Sequence, residues 1–296
     1  MKINRYRSLL ITVVVLICLL SPQVSRAVER HFLWRATGDA STVYLLGSIH
    51  FMKKDAYPLS KVIEEAFDRC DTLAVEADIN NVGPGTLQML RRAGFYEPDD
   101  SLANHISRQT YTYVTEESAR LGFPAIVLNR QKPWFLGITM SSMELMRSGY
   151  DPNYGIDKYF LTRASGQKKI VELESIEYQI SLLAGLPDGE QESFLLYAIK
   201  DLKSVGEQVD ALMAAWGTGD SDRIASILTK SIENDDRLKM VYKKIMTDRN
   251  RNMAKKISMY LKSRGRVFVV IGAGHMVGDE GIIELLKREG YRVDQL

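Results

Sequence analysis

Short, nearly continuous apolar runs lie toward the two ends of the chain, while stretches with hydrophobic residues at three- and four-residue spacing fill the middle. The first pattern reads as buried strands and the second as amphipathic helices. Residues 31–35 alternate as a strand, Gly38-Asp39-Ala40-Ser41 supplies turn chemistry, and residues 42–49 form the next strand, which predicts a hairpin. A helix ending at Arg69 follows, with Val62, Ile63, Ala66 and Phe67 on one face, and then a short strand, 72–75, runs into Glu76. Strand, helix and strand in that order make a βαβ unit.

The middle of the chain is predicted mainly helical. Helices over 86–93, 107–121, 133–147 and 156–164 each close on a nearby glycine: Gly94, Gly122, Gly149 and Gly166. Residues 125–128 read as a short strand between them. Met140, Met143 and Met146 fall at helical spacing and read as core packing. A strand over 169–173, a helix over 175–184, one long helical pattern over 189–216 and helices near 222–231 and 235–246 come next. The last helix of this block covers 250–263, with Asn250 as its N-cap. The chain ends with a strand at 267–271, a helix over 280–288 capped by Asp279, and a strand at 291–293. The expected fold is mixed α/β: a central mixed sheet built from N- and C-terminal strands, with a helical insertion at about 85–263, in one domain spanning 28–296.

The N-terminus changes this picture. Lys2, Arg5 and Arg7 precede the uncharged run 9–20, and Ser25-Arg26-Ala27 offers a small-x-small cleavage site, the plan of a secretory leader. This run of twelve residues falls short of the roughly 18 that a spanning helix needs, so residues 1–27 are expected to direct export to the periplasm or medium and to be cleaved after Ala27. If uncleaved, the leader is the one expected contact with a membrane. Ile17 is too bulky for a lipidation signal at Cys18. Cleavage removes four basic residues and no acid, taking the net charge from +2 to −2. No basic block remains to favour nucleic acid. Cys70 is then the single cysteine, and no intrachain disulfide can form.

Two apolar strands end alike, on Gly47-Ser48-Ile49-His50 and on Gly272-Ala273-Gly274-His275. With 21 Gly and 4 His in 296 residues, two such Gly-x-x-His matches arise by accident with a chance of about 0.03, so the pairing carries weight beyond a short motif. A strand mouth is where open α/β sheets place their sites. His50 and His275 are therefore candidate acid–base groups or metal ligands, and Glu76, at the end of another strand, is the carboxylate that could join them. Two histidines and a carboxylate with an open position suit metal-assisted hydrolysis; the same groups without metal suit acid–base work. Each also has a plain structural reading: Glu76 and Glu172 as exposed residues beside strands, Glu174 as helix-entry chemistry before Ser175, Asp157 as a first-turn acid. His31 and His105 read as surface residues. Arg249 is out of place near a positive helix end unless it meets a carboxylate such as Glu174. Phosphate-loop, Gly-x-Ser-x-Gly and His-Glu-x-x-His motifs are absent from the sequence, which leaves nucleotide hydrolysis, serine hydrolysis and zincin chemistry unsupported.

The chain resembles the TraB, PrgY and GumN family. The likeness rests on Tyr44-Leu45-Leu46-Gly47-Ser48-Ile49-His50, Leu73-Ala74-Val75-Glu76, Gly155-Ile156-Asp157, Leu173-Glu174-Ser175, Arg249-Asn250 and Val270-Ile271-Gly272-Ala273-Gly274-His275-Met276-Val277-Gly278. The family includes the animal Tiki proteins, which look like metal-dependent proteases, and is similar in fold to the erythromycin esterase-like and ChaN-like group. Some bacterial members are regarded as pheromone-shutdown or polysaccharide-associated factors. The resemblance implies a site formed by His50, His275 and Glu76, with Glu174, Arg249, Asn250 and Asp157 in support. The expected function is a metal-dependent hydrolase, acting on peptides and using a divalent ion of manganese, cobalt or zinc. The alternatives are a non-catalytic protein that sequesters a peptide, haem or metal, and an envelope-interaction role in which the histidines only pack.

Overall fold

The computed structural model describes residues 30–200, 202–229 and 235–296; the expected leader lies outside them. Strands β1 (Leu33–Thr37) and β2 (Ser41–Ser48) form the N-terminal hairpin, followed by helix α1 (Lys61–Asp68) and strand β3 (Thr72–Val75). Helices α2 (Pro84–Gly94), α3 (Arg108–Leu121), α4 (Ala125–Arg130), α5 (Pro133–Arg147) and α6 (Ile156–Ala164) lead to strand β4 (Lys169–Glu172). Then come α7 (Ile176–Ala184), α8 (Asp188–Ile199), α9 (Val205–Gly217), α10 (Ser221–Thr229), α11 (Asp236–Tyr242), a π-helical segment (Lys243–Thr247) and α12 (Asp248–Leu261). Strand β5 (Gly265–Gly272), the short helix α13 (Ala273–Met276), α14 (Ile282–Arg288) and strand β6 (Arg292–Gln295) close the chain.

The six strands form one mixed sheet in the order β4-β3-β5-β2-β1-β6. The first four are parallel, and β1 runs antiparallel to both of its neighbours, β2 and the edge strand β6. Val267, Phe268, Val269, Val270 and Ile271 are all buried. Because successive strand residues point to opposite faces, this unbroken burial means that helices cover β5 on both sides. On the Phe268 side, Phe67 of α1 meets its ring edge-to-face and Phe160 of α6 meets it tilted, at ring separations of 5.4 and 5.0 Å. Met253, Ile257 and Leu261 of α12 join the same core. A second cluster, built from Leu102, Val114, Leu128, Leu136, Met140, Leu195 and Ile199, holds the helical layer together.

The mixed α/β architecture agrees with the sequence pattern, and several elements differ in instructive ways. Residues 125–128, read as a strand, are helix α4: Val127 and Leu128 donate their amides to the Pro124 carbonyl, and only Leu128 is buried. The β-branched run imitated a strand, but no sheet edge lies there to receive one. The single pattern over 189–216 is two helices, broken by a 3-10 turn at Leu202–Ser204. Leu195 and Ile199 enter the second cluster whereas Ala215 and Trp216 enter the sheet core, so the break redirects the chain from one core to the other. The helix expected from Asp279 begins after Gly281. Val62 and Met146 are exposed, so each apolar stripe is broader than the face it buries. His31, expected at the surface, is buried, with its amide bonded to the Leu296 carbonyl at 2.6 Å. Strand β4 supplies the outer parallel strand from inside the stretch read as a helical insertion.

Candidate functional site

Four adjacent parallel strands, β4-β3-β5-β2, end on one rim, and the sequence just beyond each carries a polar group. Glu174 follows β4, Glu76 follows β3, His275 follows β5 and His50 follows β2. The register aligns Gly47 with Ile271 and Ser48 with Gly272, so the two Gly-x-x-His motifs leave neighbouring strands offset by one residue. Leu173 and Glu174 extend the pairing past β4 by donating their amides to the Val75 and Glu76 carbonyls, both at 2.8 Å. This is the carboxyl-end rim at which parallel sheets present side chains to a ligand.

The His50 ring is held from behind. Its Nδ1 donates to Asp157 Oδ2 at 2.8 Å, and Asp157 Oδ1 accepts from the Ser48 hydroxyl at 2.7 Å. Asp157 reaches this place because the loop after His50 is stitched to the start of α6: the Ile156 amide bonds to the Ile49 carbonyl at 3.1 Å, and Met52 and Asp151 exchange backbone bonds. Gly155 makes the approach possible, since a Cβ there would stand 2.4 Å from the His50 carbonyl oxygen. The Asp157 charge, against the opposing effect of burial, raises the His50 pKa to about 9. The ring itself opens on the cleft with 66% of its side chain accessible, so solvent screens part of that attraction.

His275 is built on the same plan with a neutral partner. Its Nδ1 lies 2.5 Å from Asn250 Oδ1, and the Asn250 amide nitrogen donates to the Glu280 carbonyl at 2.8 Å. The second bond fixes which way the amide faces, so His275 Nδ1 must carry the proton and Nε2 keeps its lone pair. Burial lowers its pKa to about 4, which leaves the ring neutral at neutral pH.

Between the rings sits Glu76. Its Oε1 accepts the Gly272 amide at 2.7 Å and lies 4.0 Å from His275 Nε2. Its Oε2 accepts from Arg249 Nη2 at 2.6 Å and from Gln179 Nε2 at 3.3 Å. Arg249 also holds Glu174, through Nη2 at 2.7 Å and Nε at 2.9 Å. Burial works to raise the Glu76 pKa, but the charges of His275, Arg249 and His50 and the Gly272 amide outweigh it and keep the carboxyl below its ordinary range. Since His275 is itself neutral at neutral pH, Arg249 and protonated His50 are the cations that matter there.

Gly272 defines the centre of the arrangement. A Cβ placed on it would stand 3.2 Å from Glu76 Oε1, 3.6 Å from His275 Cδ2 and 4.0 Å from His50 Nε2. Three groups therefore surround one small volume that a side chain would fill. Two imidazoles with their Nδ1 atoms engaged and a carboxylate with a remaining lone pair suit a divalent cation of borderline hardness. Among the described residues, no group of three or more His, Cys, Asp or Glu side chains is placed where it could hold a metal ion as it stands. The three groups line a cleft of about 540 Å³ together with apolar residues of α7 to α10 and the π-helical segment.

Residues 32–295 match the TraB/PrgY/gumN family. The chain belongs to it. An uncharacterized protein of Escherichia coli K12, YbaP, is 23% identical over 248 residues, covering 82% of this chain and 87% of that protein. A Treponema pallidum protein, also uncharacterized, is 23% identical over 273 residues, covering 88% and 81%. No solved structure matches the chain.

In this TraB-family chain the structure brings His275, Glu76, Glu174, Arg249 and Asn250 into one connected network, and the His50–Asp157 pair faces it across the space beside Gly272. Asp157 is in the first helical turn, as expected, and is also the partner of His50. Asn250 is not an N-cap: α12 begins at Asp248 directly from the π-helical segment, which puts Asn250 inside the helix with its side chain on His275. Glu172 is exposed and accepts the Asp78 amide, apart from the cluster. His105 bonds Asp100 and Asp188 and stacks on Tyr96. Sequence reasoning missed Ser48 and Gln179. Ser48 had a signal, standing within the first Gly-x-x-His; Gln179 had none, being one polar position on α7.

Proposed function

We propose that this chain is an exported hydrolase that cleaves peptide bonds with the help of a divalent cation of the manganese, cobalt or zinc sort. The observation that carries the reading is the convergence of His50, His275 and Glu76 on the space beside Gly272, each fixed from behind by a separate partner. His50 and His275 would hold the ion through Nε2, with Glu76 Oε1 nearby. Such an ion supplies Lewis acidity toward a carbonyl oxygen and lowers the pKa of a water.

The protein's own groups do the rest. Asp157 and Asn250 engage Nδ1 of the two imidazoles, so that Nε2 of His275 is open and Nε2 of His50 becomes open once that ring gives up its second proton. Glu76 Oε1 keeps a lone pair beyond its bond to the Gly272 amide, and this serves to complete the ligand set or to take a proton from the attacking water. Arg249 keeps Glu76 ionised, and Glu174 balances Arg249 so that the cleft does not gain a net positive wall. Peptide hydrolysis breaks the C–N bond, and the proton held on the carboxylate passes to the departing amine.

The test is hydrolysis of a mixed peptide library by purified protein with manganese, cobalt or zinc, beside His50→Ala and His275→Ala. Metal-dependent cleavage that disappears in both folded variants is the expected result. Cleavage retained by both contradicts the reading, and saturable peptide binding without turnover identifies a sequestering protein instead.

A further inference from the structure

The cleft has two unlike walls. One is the strand rim with its charged and polar groups. The other is made by Leu182 and Leu183 of α7, Phe194 of α8, Leu212 of α9, Leu228 of α10 and Met246 of the π-helical segment. All six side chains are half-buried, so each keeps apolar surface facing the cleft rather than the interior. They come from five separate elements, and no charged side chain stands among the apolar residues of that wall. Apolar surface converging on one concavity, rather than scattered singly, marks a binding wall. It also lies close to the reacting groups: Leu228 Cδ1 and Met246 Cε both come within 3.1 Å of where a Cβ on Gly274 would stand, one residue before His275.

We infer that this wall is the specificity subsite of the proposed peptidase, and that it selects peptides carrying bulky aliphatic or aromatic side chains next to the bond held at His50, Glu76 and His275. The inference rests on the peptidase reading for the word substrate, while the binding preference stands by itself. The six apolar side chains offer nothing to pair with a hydroxyl or charge, and the polar neighbours Gln179 and Arg249 are engaged by Glu76 and Glu174, so a polar side chain placed against the wall loses its hydration without return. A cavity of about 540 Å³ lies within the ~300–1,000 Å³ of sites that enclose a small ligand, enough for the side chains flanking one bond and too little for a folded domain. Leu182, Leu183, Phe194 and Met246 stand outside both core clusters, so they can be changed without opening the core.

The experiment measures binding separately from turnover. Two dansyl-labelled eight-residue peptides of Gly and Ser, differing in a central Leu-Phe against Asp-Ser, are titrated into the His50→Ala, His275→Ala double variant, alone and with Leu183→Gln, Phe194→Ser or Leu183→Met added. Expected is at least roughly tenfold tighter binding of the Leu-Phe peptide, the scale on which apolar pockets discriminate, largely lost with Leu183→Gln and kept with Leu183→Met. Equal affinity for the two peptides, or a preference that survives Leu183→Gln and Phe194→Ser alike, overturns the subsite. If the preference holds while the wild-type protein with metal cleaves neither peptide nor library, the subsite stands and the hydrolase reading fails.

Discussion

Arg249 and Glu76 are joined across 173 residues of sequence by a 2.6 Å bond, with both side chains only 11% accessible. The same guanidinium nitrogen meets Glu174 at 2.7 Å, so one cation holds two buried carboxylates side by side. Removing it leaves two like charges without compensation. Arg249→Met is expected to lower the unfolding free energy by about 3–5 kcal/mol, measured by urea denaturation. Arg249→Lys is expected to recover only part of it, because an ammonium cannot reproduce the planar fork that reaches both acids. Equal stability of wild type and Arg249→Met would show that the pairs contribute nothing.

The glycines of the two Gly-x-x-His motifs serve different ends, and alanine separates them. At Gly47 a Cβ would meet the Phe32 ring at 2.3 Å, so Gly47→Ala is expected to destabilise by about 1–3 kcal/mol through overpacking. Gly272 has φ −47° and ψ 132°, which any residue tolerates, and its Cβ would enter only the space between Glu76 and the two histidines. Gly272→Ala is expected to cost about 1 kcal/mol or less while abolishing cation binding. Thermal unfolding and a metal titration of the two variants distinguish these outcomes.

Asp157 and Ser48 act on His50 from behind the ring. Asp157→Asn is expected to weaken cation binding by roughly 10–100-fold, the usual effect of losing a ligand's supporting partner, and Ser48→Ala less. The histidine NMR signal provides a second reading: in Asp157→Asn the His50 pKa falls from about 9 toward its ordinary value. An unchanged titration would mean that the Asp157 carboxylate does not govern His50.

Opposite shifts on the two histidines shape stability in chelator-treated protein. The His50 pKa is raised to about 9, above the ordinary 6.5, so its contribution is fully present below pH 6.5 and is lost as pH climbs through 9. The His275 pKa is lowered to about 4, so the folded state resists protonating it and stability declines as pH drops from 6.5 toward 4. Urea midpoints across pH 4–9 are expected to fall on both sides, and Asp157→Asn to flatten the alkaline limb. A midpoint that rises from pH 6.5 to 9 would contradict the His50 assignment.

Much of this rim was legible because its chemistry sits immediately after short apolar runs. The strands ending at Ser48, Val75 and Gly272 carry too few polar residues to be anything but buried, and their next polar groups, His50, Glu76 and His275, can only emerge at the strand mouths. Arg249 was legible as a misfit, a cation at a helix start that needed an acid. Other features depended on tertiary position. Asn250 looks like an N-cap in sequence because the π-helical turn that carries the helix through it has no local signature. The run at 125–128 reads as a strand by composition and is helical because Pro124 starts a turn far from any sheet edge. The apolar wall was invisible, since its residues come from five elements whose own periodicities say only that each has a buried side.

The most direct test of the central claim is metal content and calorimetric metal affinity of the purified chain beside a His50→Ala, His275→Ala double variant. One equivalent of manganese, cobalt or zinc per chain, absent from a double variant that still unfolds cooperatively, is the result this account requires. The absence of stoichiometric binding in the wild-type chain, or equal binding by both proteins, would contradict it.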